Sequence, residues 1–214
     1  MRDKRFFFVA LALSMSLLTS CGRVTLMEAG KDPLSADEHL RLGALYEAKN
    51  EVVPALREYK GAIAADPGNP AAWFGLGNVY LKKKMYNEAI GSYLKAVELD
   101  PKNGVFHNNL GWAYMETGRF DKAEEAVRDA IRIDPSGLHM YLDTLGVIEM
   151  RRGDYAGAQR SFKEAATAAP VTDTAGLKII YGHLLELYAA TGDSSGASWA
   201  EEKIKAVDAA APRR

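Results

Sequence analysis

A period of 34 or 35 residues constrains the fold of this chain more than any other feature of its sequence. Pro67, Pro101, Pro135 and Pro170 lie 34, 34 and 35 residues apart, and each of the first three follows an aspartate. A fixed period of this length is typical of proteins in which one supersecondary unit is repeated and stacked. The sequence therefore predicts a continuous array of repeats and not a domain with one central core.

Each period contains small and large residues at the same positions. The second copy has the complete set, in this order: Trp73, Leu76, Gly77, Tyr80, Ala89, Tyr93, Ala96 and Pro101. Glycine and alanine allow two helices to approach closely, large side chains fill the space between helix pairs, and proline ends the second helix. The fourth copy departs from this set at Glu149, which stands in the place of the tyrosine. Each period is thus predicted to be a pair of packed helices.

This set of residues resembles the tetratricopeptide repeat. The resemblance implies an all-α fold, a right-handed α-solenoid of helix-turn-helix repeats that occupies residues 35–210. It covers four clear repeats and a degenerate fifth pair that serves as a C-terminal cap, at residues 36–69, 70–103, 104–138, 139–172 and 175–208. The predicted helices span residues 36–48, 53–65, 70–82, 86–99, 104–116, 120–133, 139–151, 155–168, 175–190 and 195–208.

The turn inside each helix pair has its own residue requirement. Gly118, Gly153 and Gly192 fall at this turn, where a left-handed backbone is expected. Asn50 is a tolerated substitute in the first copy. Lys84 departs from the requirement in the second copy, so a looser turn is expected there.

The N-terminal residues predict export and lipid attachment. A basic start is followed by an apolar run of about 14 residues, which is shorter than the roughly 20 that a membrane-spanning helix needs. Leu18-Thr19-Ser20-Cys21 then resembles the bacterial lipobox. The resemblance implies a lipoprotein signal peptide at residues 1–20, and diacylglyceryl and N-acyl (palmitate-type) lipid on Cys21. Residues 21–34 would form a lipidated, flexible tether, and an ordinary cleaved signal or a short anchor is the alternative.

The residue after the lipidated cysteine predicts which membrane holds the lipid anchor. Gly22 stands where the inner-membrane retention signal of lipoproteins has aspartate, which favours an outer-membrane anchor facing the periplasm. Inner-membrane or other cell-membrane anchoring is the alternative.

Composition argues against several classes of site. The formal net charge is −1, from 27 Lys+Arg and 28 Asp+Glu, which argues against a nucleic-acid-binding surface. A single cysteine excludes a disulfide framework and a cysteine-based metal cage. His39 and His107 occupy the place of Trp73 in the repeat, so packing explains them. Without ligand spacing among the four histidines, neither a metal nor another cofactor is expected.

One short string matches a catalytic motif. Residues 192–196 read Gly-Asp-Ser-Ser-Gly, which matches the G-x-S-x-G string of serine hydrolases. That motif needs a strand before its serine, whereas a helix is predicted here, and no histidine follows Ser194. A turn or helix N-cap role for Ser194 is therefore preferred. We expect no enzyme activity and no small-molecule substrate, and a serine hydrolase remains the rival class.

The resemblance also implies where a partner binds. In tetratricopeptide proteins the first helix of each repeat faces the inside of the superhelix, where several positions contact a bound peptide. Carried onto this chain, the peptide-binding groove is expected to contain Phe74, Asn78, Leu81, Asn108, Asn109, Trp112, Met115, Met140, Asp143, Val147 and Met150. Asparagine both donates and accepts hydrogen bonds, and the aromatic and methionine side chains offer contact area.

The expected function follows from these two resemblances. A lipid-anchored tetratricopeptide array predicts an adaptor or scaffold that binds protein or peptide partners of the cell envelope and aids assembly of an envelope complex. The plan is similar to the pilotin lipoproteins that help secretin or type IV pilus assembly, which gives an alternative. A self-associating structural protein is a third possibility.

Overall fold

Helical hairpins account for the regular structure of this chain. The structure is a computed structural model that describes residues 32–210, where ten α-helices and one short 3₁₀ helix occur and no strand is found. The α-helices are α1 (Ala36–Ala48), α2 (Val52–Ala65), α3 (Pro70–Lys82), α4 (Tyr86–Leu99), α5 (Gly104–Glu116), α6 (Phe120–Ile133), α7 (Leu138–Arg152), α8 (Tyr155–Ala168), α9 (Thr174–Thr191) and α10 (Ser194–Ala210). Their bounds agree with the predicted helices to within two residues, and the predicted all-α solenoid is confirmed.

The hairpins pack in single file. Each helix packs against the next along the chain, and α1 also contacts α3, α5 contacts α7, and α7 contacts α9. Odd-numbered helices therefore meet across repeats along one face of the array. We call the face formed by α1, α3, α5, α7 and α9 the inner surface.

Close contacts between glycine and a large side chain explain the repeated sequence pattern. A Cβ atom added to Gly77 would lie 2.5 Å from the ring of Tyr93, and one added to Gly146 would lie 2.6 Å from the ring of Phe162. Both rings are fully buried. Glycine in the first helix of the hairpin therefore makes room for an aromatic ring of the second.

The turns inside the hairpins adopt one backbone conformation. Gly118, Gly153 and Gly192 have φ values of 72°, 91° and 75°, as expected. Asn50 and Lys84 have φ values of 61° and 59°. Lys84 thus keeps the same left-handed turn as its counterparts, and the expected looser turn is not seen.

Side chains at the N-terminus of α3 and α5 fix where these inner helices begin. Asn69 Oδ1 accepts a hydrogen bond from the backbone N–H of Ala71 at 3.0 Å, and Asn103 Oδ1 accepts one from Val105 at 3.1 Å. Such N-caps satisfy backbone donors that have no partner inside the helix. The same cap in successive repeats gives the inner helices a matching start.

The histidine at the tryptophan position has the role that the sequence assigned to it. Trp73 Nε1 donates a hydrogen bond to the carbonyl of Pro67 at 3.0 Å, and His107 Nε2 lies 3.1 Å from the carbonyl of Pro101, one repeat later. Nε2 of His107 therefore carries the proton. His107 is a structural residue that links α5 to the preceding loop by a hydrogen bond.

The predicted signal peptide at residues 1–20, the lipidation site Cys21 and most of the tether at residues 21–34 lie outside the described residues. Among the helices of residues 32–210, none combines the length and the apolar character that crossing a membrane would require.

Candidate functional site

The inner surface contains most of the residues that were expected to bind a peptide. Met140 has 49% of its surface exposed, and most of the other expected residues are half-buried. These half-buried side chains are Phe74, Asn78, Leu81, Asn108, Asn109, Trp112, Asp143 and Met150. They come from α3, α5 and α7, so the fold brings three successive repeats to one face.

Two of the expected residues are core residues. Met115 is only 2% exposed and Val147 only 5%, and both belong to one buried apolar cluster with Leu145. Their side chains have almost no area left for a ligand. The expectation that Met115 and Val147 line the groove is corrected, because these two positions pack between repeats.

The central asparagines are bonded to each other. Asn78 Oδ1 accepts one hydrogen bond from the hydroxyl of Tyr93 at 2.8 Å and another from Asn109 Nδ2 at 3.2 Å. The remaining polar atoms, Asn78 Nδ2 and Asn109 Oδ1, form no hydrogen bond within residues 32–210. This pair therefore presents one donor group and one acceptor to the inner surface.

Aromatic and apolar side chains beside the asparagines are held in place by packing. The ring of Phe74 lies 4.8 Å from that of Phe106 and 5.8 Å from that of Tyr93, measured between centroids. Trp112 and Met150 pack against the apolar cluster around α7. These contacts preorganise the apolar part of the inner surface.

A cavity of about 180 Å³ lies between α7 and α9. Met140 and Thr144 line it from α7, and Ile179 and Ile180 line it from α9. Ile179 is 57% exposed although it is apolar. Ile179 was not among the residues expected at this surface, since the fifth repeat is degenerate. The signal that would have found it is the adjacent pair of isoleucines, only one of which can point into the core.

Two histidine–carboxylate pairs flank this cavity. His183 Nδ1 lies 2.8 Å from Oδ1 of Asp143, and His139 Nε2 lies 3.3 Å from Oδ2 of Asp173. The hydrogen bond that Asp143 accepts raises the pKa of His183, although partial burial acts in the opposite direction. The partners in these two pairs are 40 and 34 positions apart, which is why both histidines look isolated in the sequence.

The catalytic motif lacks its structural setting. Ser194 is the first residue of α10 and follows α9, so no strand stands before it. Oδ1 of the neighbouring Asp193 accepts hydrogen bonds from the backbone N–H of Gly196 and from the hydroxyl of Ser195. Asp193 caps the helix, and Ser194 takes the first helical position. Within residues 32–210, no group of three or more metal-ligating side chains forms a candidate metal site.

Two family models of the tetratricopeptide repeat match this chain. One matches residues 70–103 and the other residues 92–125. Tetratricopeptide repeats generally form protein-interaction scaffolds without catalytic activity. No curated protein matches the chain.

Solved structures show the same fold at low sequence identity. PilW, a widely conserved type IV pilus biogenesis factor, has a TM-score of 0.73 and 18% identity, with 83% of this chain and 79% of that chain covered. MamA has a TM-score of 0.64 and 22% identity, with 81% and 91% covered. PilF from Pseudomonas aeruginosa has a TM-score of 0.63 and 21% identity, with 84% and 79% covered.

Proposed function

We propose that this chain is a tetratricopeptide-repeat protein that acts as a membrane-anchored adaptor of the bacterial envelope. It binds a segment of a protein partner on its inner surface and helps to assemble an envelope complex. It performs no reaction of its own.

The observation that carries the proposal is the composition of the inner surface. Exposed apolar side chains of Met140 and Ile179 border a cavity of about 180 Å³, which has the size for one apolar side chain. Binding surfaces combine such apolar anchors with a few fixed polar groups. The polar groups here are the Asn78–Asn109 pair and the His183–Asp143 pair.

The asparagine pair suits an extended peptide. Asn78 Nδ2 donates to a peptide carbonyl, and Asn109 Oδ1 accepts from a peptide N–H. The mutual hydrogen bond and the bond from Tyr93 hold both amides in position before the partner arrives. A preorganised site loses less conformational entropy on binding.

The anchor rests on the sequence alone. Cys21 is the only cysteine of the chain and stands at the lipobox position after an apolar run. Lipid on Cys21 attaches the protein to a membrane. Because Gly22 follows this cysteine in place of aspartate, the anchor lies in the periplasmic face of the outer membrane. The tether at residues 21–34 then separates the repeats from the lipid surface.

A more specific role in type IV pilus or secretin assembly is the second candidate. It is favoured by the lipobox together with the likeness of the fold to PilW, which is a type IV pilus biogenesis factor. Loss of surface pili from cells without this protein would support that role, and normal pili would exclude it.

The adaptor function is tested by photo-crosslinking in cells. A benzoylphenylalanine at Met140 on the inner surface is compared with one at Leu94 on α4, because both positions are apolar and almost equally exposed, at 49% and 44%. We expect a discrete partner adduct at position 140 that the double variant Asn109→Ala/Trp112→Ala removes while the helical circular dichroism stays unchanged. The same adducts at position 94, or adducts that persist in the double variant, would contradict a site on the inner surface.

A further inference from the structure

A second depression lies on the side of the repeats away from the inner surface. It is a groove of about 740 Å³ between α6 and α8, where both helices pack on α7. We call it the outer groove. It is defined by Ile131, Leu142 and Leu145 in its floor and by Arg128, Arg160 and Lys163 at its rim. The residues that α7 contributes to it differ from those on the inner surface, so the two faces of α7 serve different depressions.

The outer groove is open because the fourth repeat lacks its tyrosine. The equivalent depression one repeat earlier, between α4 and α6, measures about 340 Å³ and is lined by Tyr114. Glu149 takes that position in the outer groove, 35 residues later. Because carboxylate is smaller than phenol, the substitution leaves space where the other repeats have a ring.

The rim of the outer groove is predominantly cationic. Arg160 and Lys163 are exposed on α8, and the charge of Lys163 also acts on Asp193, whose pKa it helps to lower. Arg128 is bonded to Glu124, which also contacts Arg152. The exposed carboxylate at the rim is Glu164.

The neighbouring depression has the opposite balance. Its rim contains Glu125 and Asp129 against Lys122. The cationic rim of the outer groove is therefore not shared by the equivalent depression one repeat earlier.

A recessed carboxyl group lies among the apolar residues of the outer groove. Glu149 is 8% exposed, and its Oε2 accepts a hydrogen bond from Ser161 at 2.6 Å. Burial raises the pKa of Glu149, while the hydrogen bond from Ser161 and the charge of Arg128 act in the opposite direction. The Oε1 atom of Glu149 accepts no hydrogen bond from another residue of 32–210, so one carboxyl oxygen remains open to a donor from a ligand.

We propose that the outer groove is a second docking site, which binds an acidic peptide segment of a protein partner. Carboxylates of the segment pair with Arg160 and Lys163, and its apolar side chains pack on Ile131, Leu142 and Leu145. A polar hydrogen of the segment bonds to Glu149. With both sites occupied, the protein holds two segments on opposite faces of one helix.

The proposal is tested with two labelled 12-residue peptides and the full-length chain. One peptide alternates pairs of leucine and glutamate, the other has lysine in place of glutamate, and binding is followed by fluorescence anisotropy. We expect the acidic peptide to bind at least about tenfold more tightly than the lysine peptide. The variant Arg160→Glu/Lys163→Glu changes only exposed residues. We expect it to weaken binding of the acidic peptide by at least about tenfold.

Two further variants distinguish binding in the outer groove from a general effect of charge on peptide binding. Glu149→Tyr restores the aromatic ring that the other repeats have at this position. We therefore expect it to close the outer groove and to weaken binding of the acidic peptide to a similar degree. Lys122→Glu makes the same kind of charge change in the neighbouring depression and is expected to leave binding unchanged. Thermal unfolding of each variant verifies that the repeats remain folded.

The proposal is overturned if wild-type protein does not distinguish the two peptides, or if Lys122→Glu weakens binding as much as Arg160→Glu/Lys163→Glu. Two other occupants would also overturn it. Self-association of the wild type that Arg160→Glu/Lys163→Glu abolishes would assign the groove to a second copy of the chain. Binding to anionic vesicles that the same variant abolishes, without peptide binding, would assign it to a membrane surface.

Discussion

Asn109 donates a hydrogen bond from Nδ2 to Oδ1 of Asn78, 3.2 Å away, and thereby joins α5 to α3 across two neighbouring repeats. The same oxygen accepts from the hydroxyl of Tyr93, whose side chain is fully buried. Asn78→Ala leaves that hydroxyl without its acceptor, so we expect the free energy of unfolding to fall by about 1–3 kcal/mol. Asn109→Ala leaves the hydrogen bond between Tyr93 and Asn78 intact, so it should lower the free energy of unfolding by only about 0.5–1 kcal/mol. Urea unfolding measures both, and equal losses would contradict the assigned roles.

Glycine at the contact between helices is predicted to resist substitution. A Cβ atom at Gly146 would lie 2.6 Å from the ring of Phe162, so Gly146→Ala should lower the free energy of unfolding by about 1–3 kcal/mol. Gly91 is the control, since a Cβ atom there meets no atom within 4 Å. Gly91→Ala should raise stability by about 0.5–1 kcal/mol, because alanine is the better helix former. Urea unfolding measures the free energy of unfolding of both variants. If Gly146→Ala and Gly91→Ala change it in the same direction, the result would argue against tight packing at Gly146.

Lys84 offers a stabilising substitution. Its backbone is left-handed, with a φ of 59°, and this conformation costs an L-residue roughly 1–2 kcal/mol. Lys84→Gly removes the Cβ atom, and we expect a gain of about 1 kcal/mol. The neighbouring Lys83 has a φ of −78°, so Lys83→Gly should bring no gain. Thermal unfolding of the two variants compares them directly, and a gain at Lys83 alone would refute the explanation.

The contact between His183 and Asp143 predicts a pH-dependent contribution to stability. Asp143 raises the pKa of His183 above its ordinary value of 6.5 in the folded state. The resulting stabilisation is complete below the unfolded pKa and is lost as pH rises through the folded one. Asp143→Asn should therefore destabilise the protein more at pH 5.5 than at pH 8.5.

Urea unfolding at those two pH values measures the difference. In a His183→Gln background, Asp143→Asn should lose this dependence on pH. If the loss caused by Asp143→Asn is the same at both pH values, the pairing does not involve protonated His183.

Lipid attachment is predicted at Cys21 alone. Cells grown with labelled palmitate should label the wild-type protein, and Cys21→Ser should abolish the label, because the lipobox cysteine carries the lipid in this interpretation. Ser20→Ala is a suitable control, since it changes the adjacent residue and leaves the cysteine. Label that persists in Cys21→Ser would remove the lipid assignment.

The helices and their packing could be predicted because the determinants are local and repeated. The Asp-Pro period marks where the second helix of each pair ends, and glycine paired with an aromatic residue marks where two helices touch. Gly77 and Tyr93, for example, are 16 residues apart and meet as the repeat requires. Even the lysine at position 84 follows the turn, because neighbouring hydrogen bonds hold its backbone.

The composition of the inner surface was harder to predict, because it depends on contacts between repeats. Burial of Met115 and Val147 is set by how α5 and α7 are oriented, which a single repeat does not encode. The bond between Asn78 and Asn109 crosses 31 positions of the sequence. Ile179 lies in a repeat whose consensus residues are mostly lost, so its exposure followed only from the structure.

The single-file arrangement of hairpins has a mechanical consequence. Between Ala36 and Ala210 the hairpins pack mainly against their neighbours, so load applied between the two ends of this array passes through the interfaces in series, and every interface bears the same force. Small rotations at each interface add up to a large extension, as in the coils of a spring. Stretching would thus move the odd-numbered helices apart and reshape the inner surface that they form.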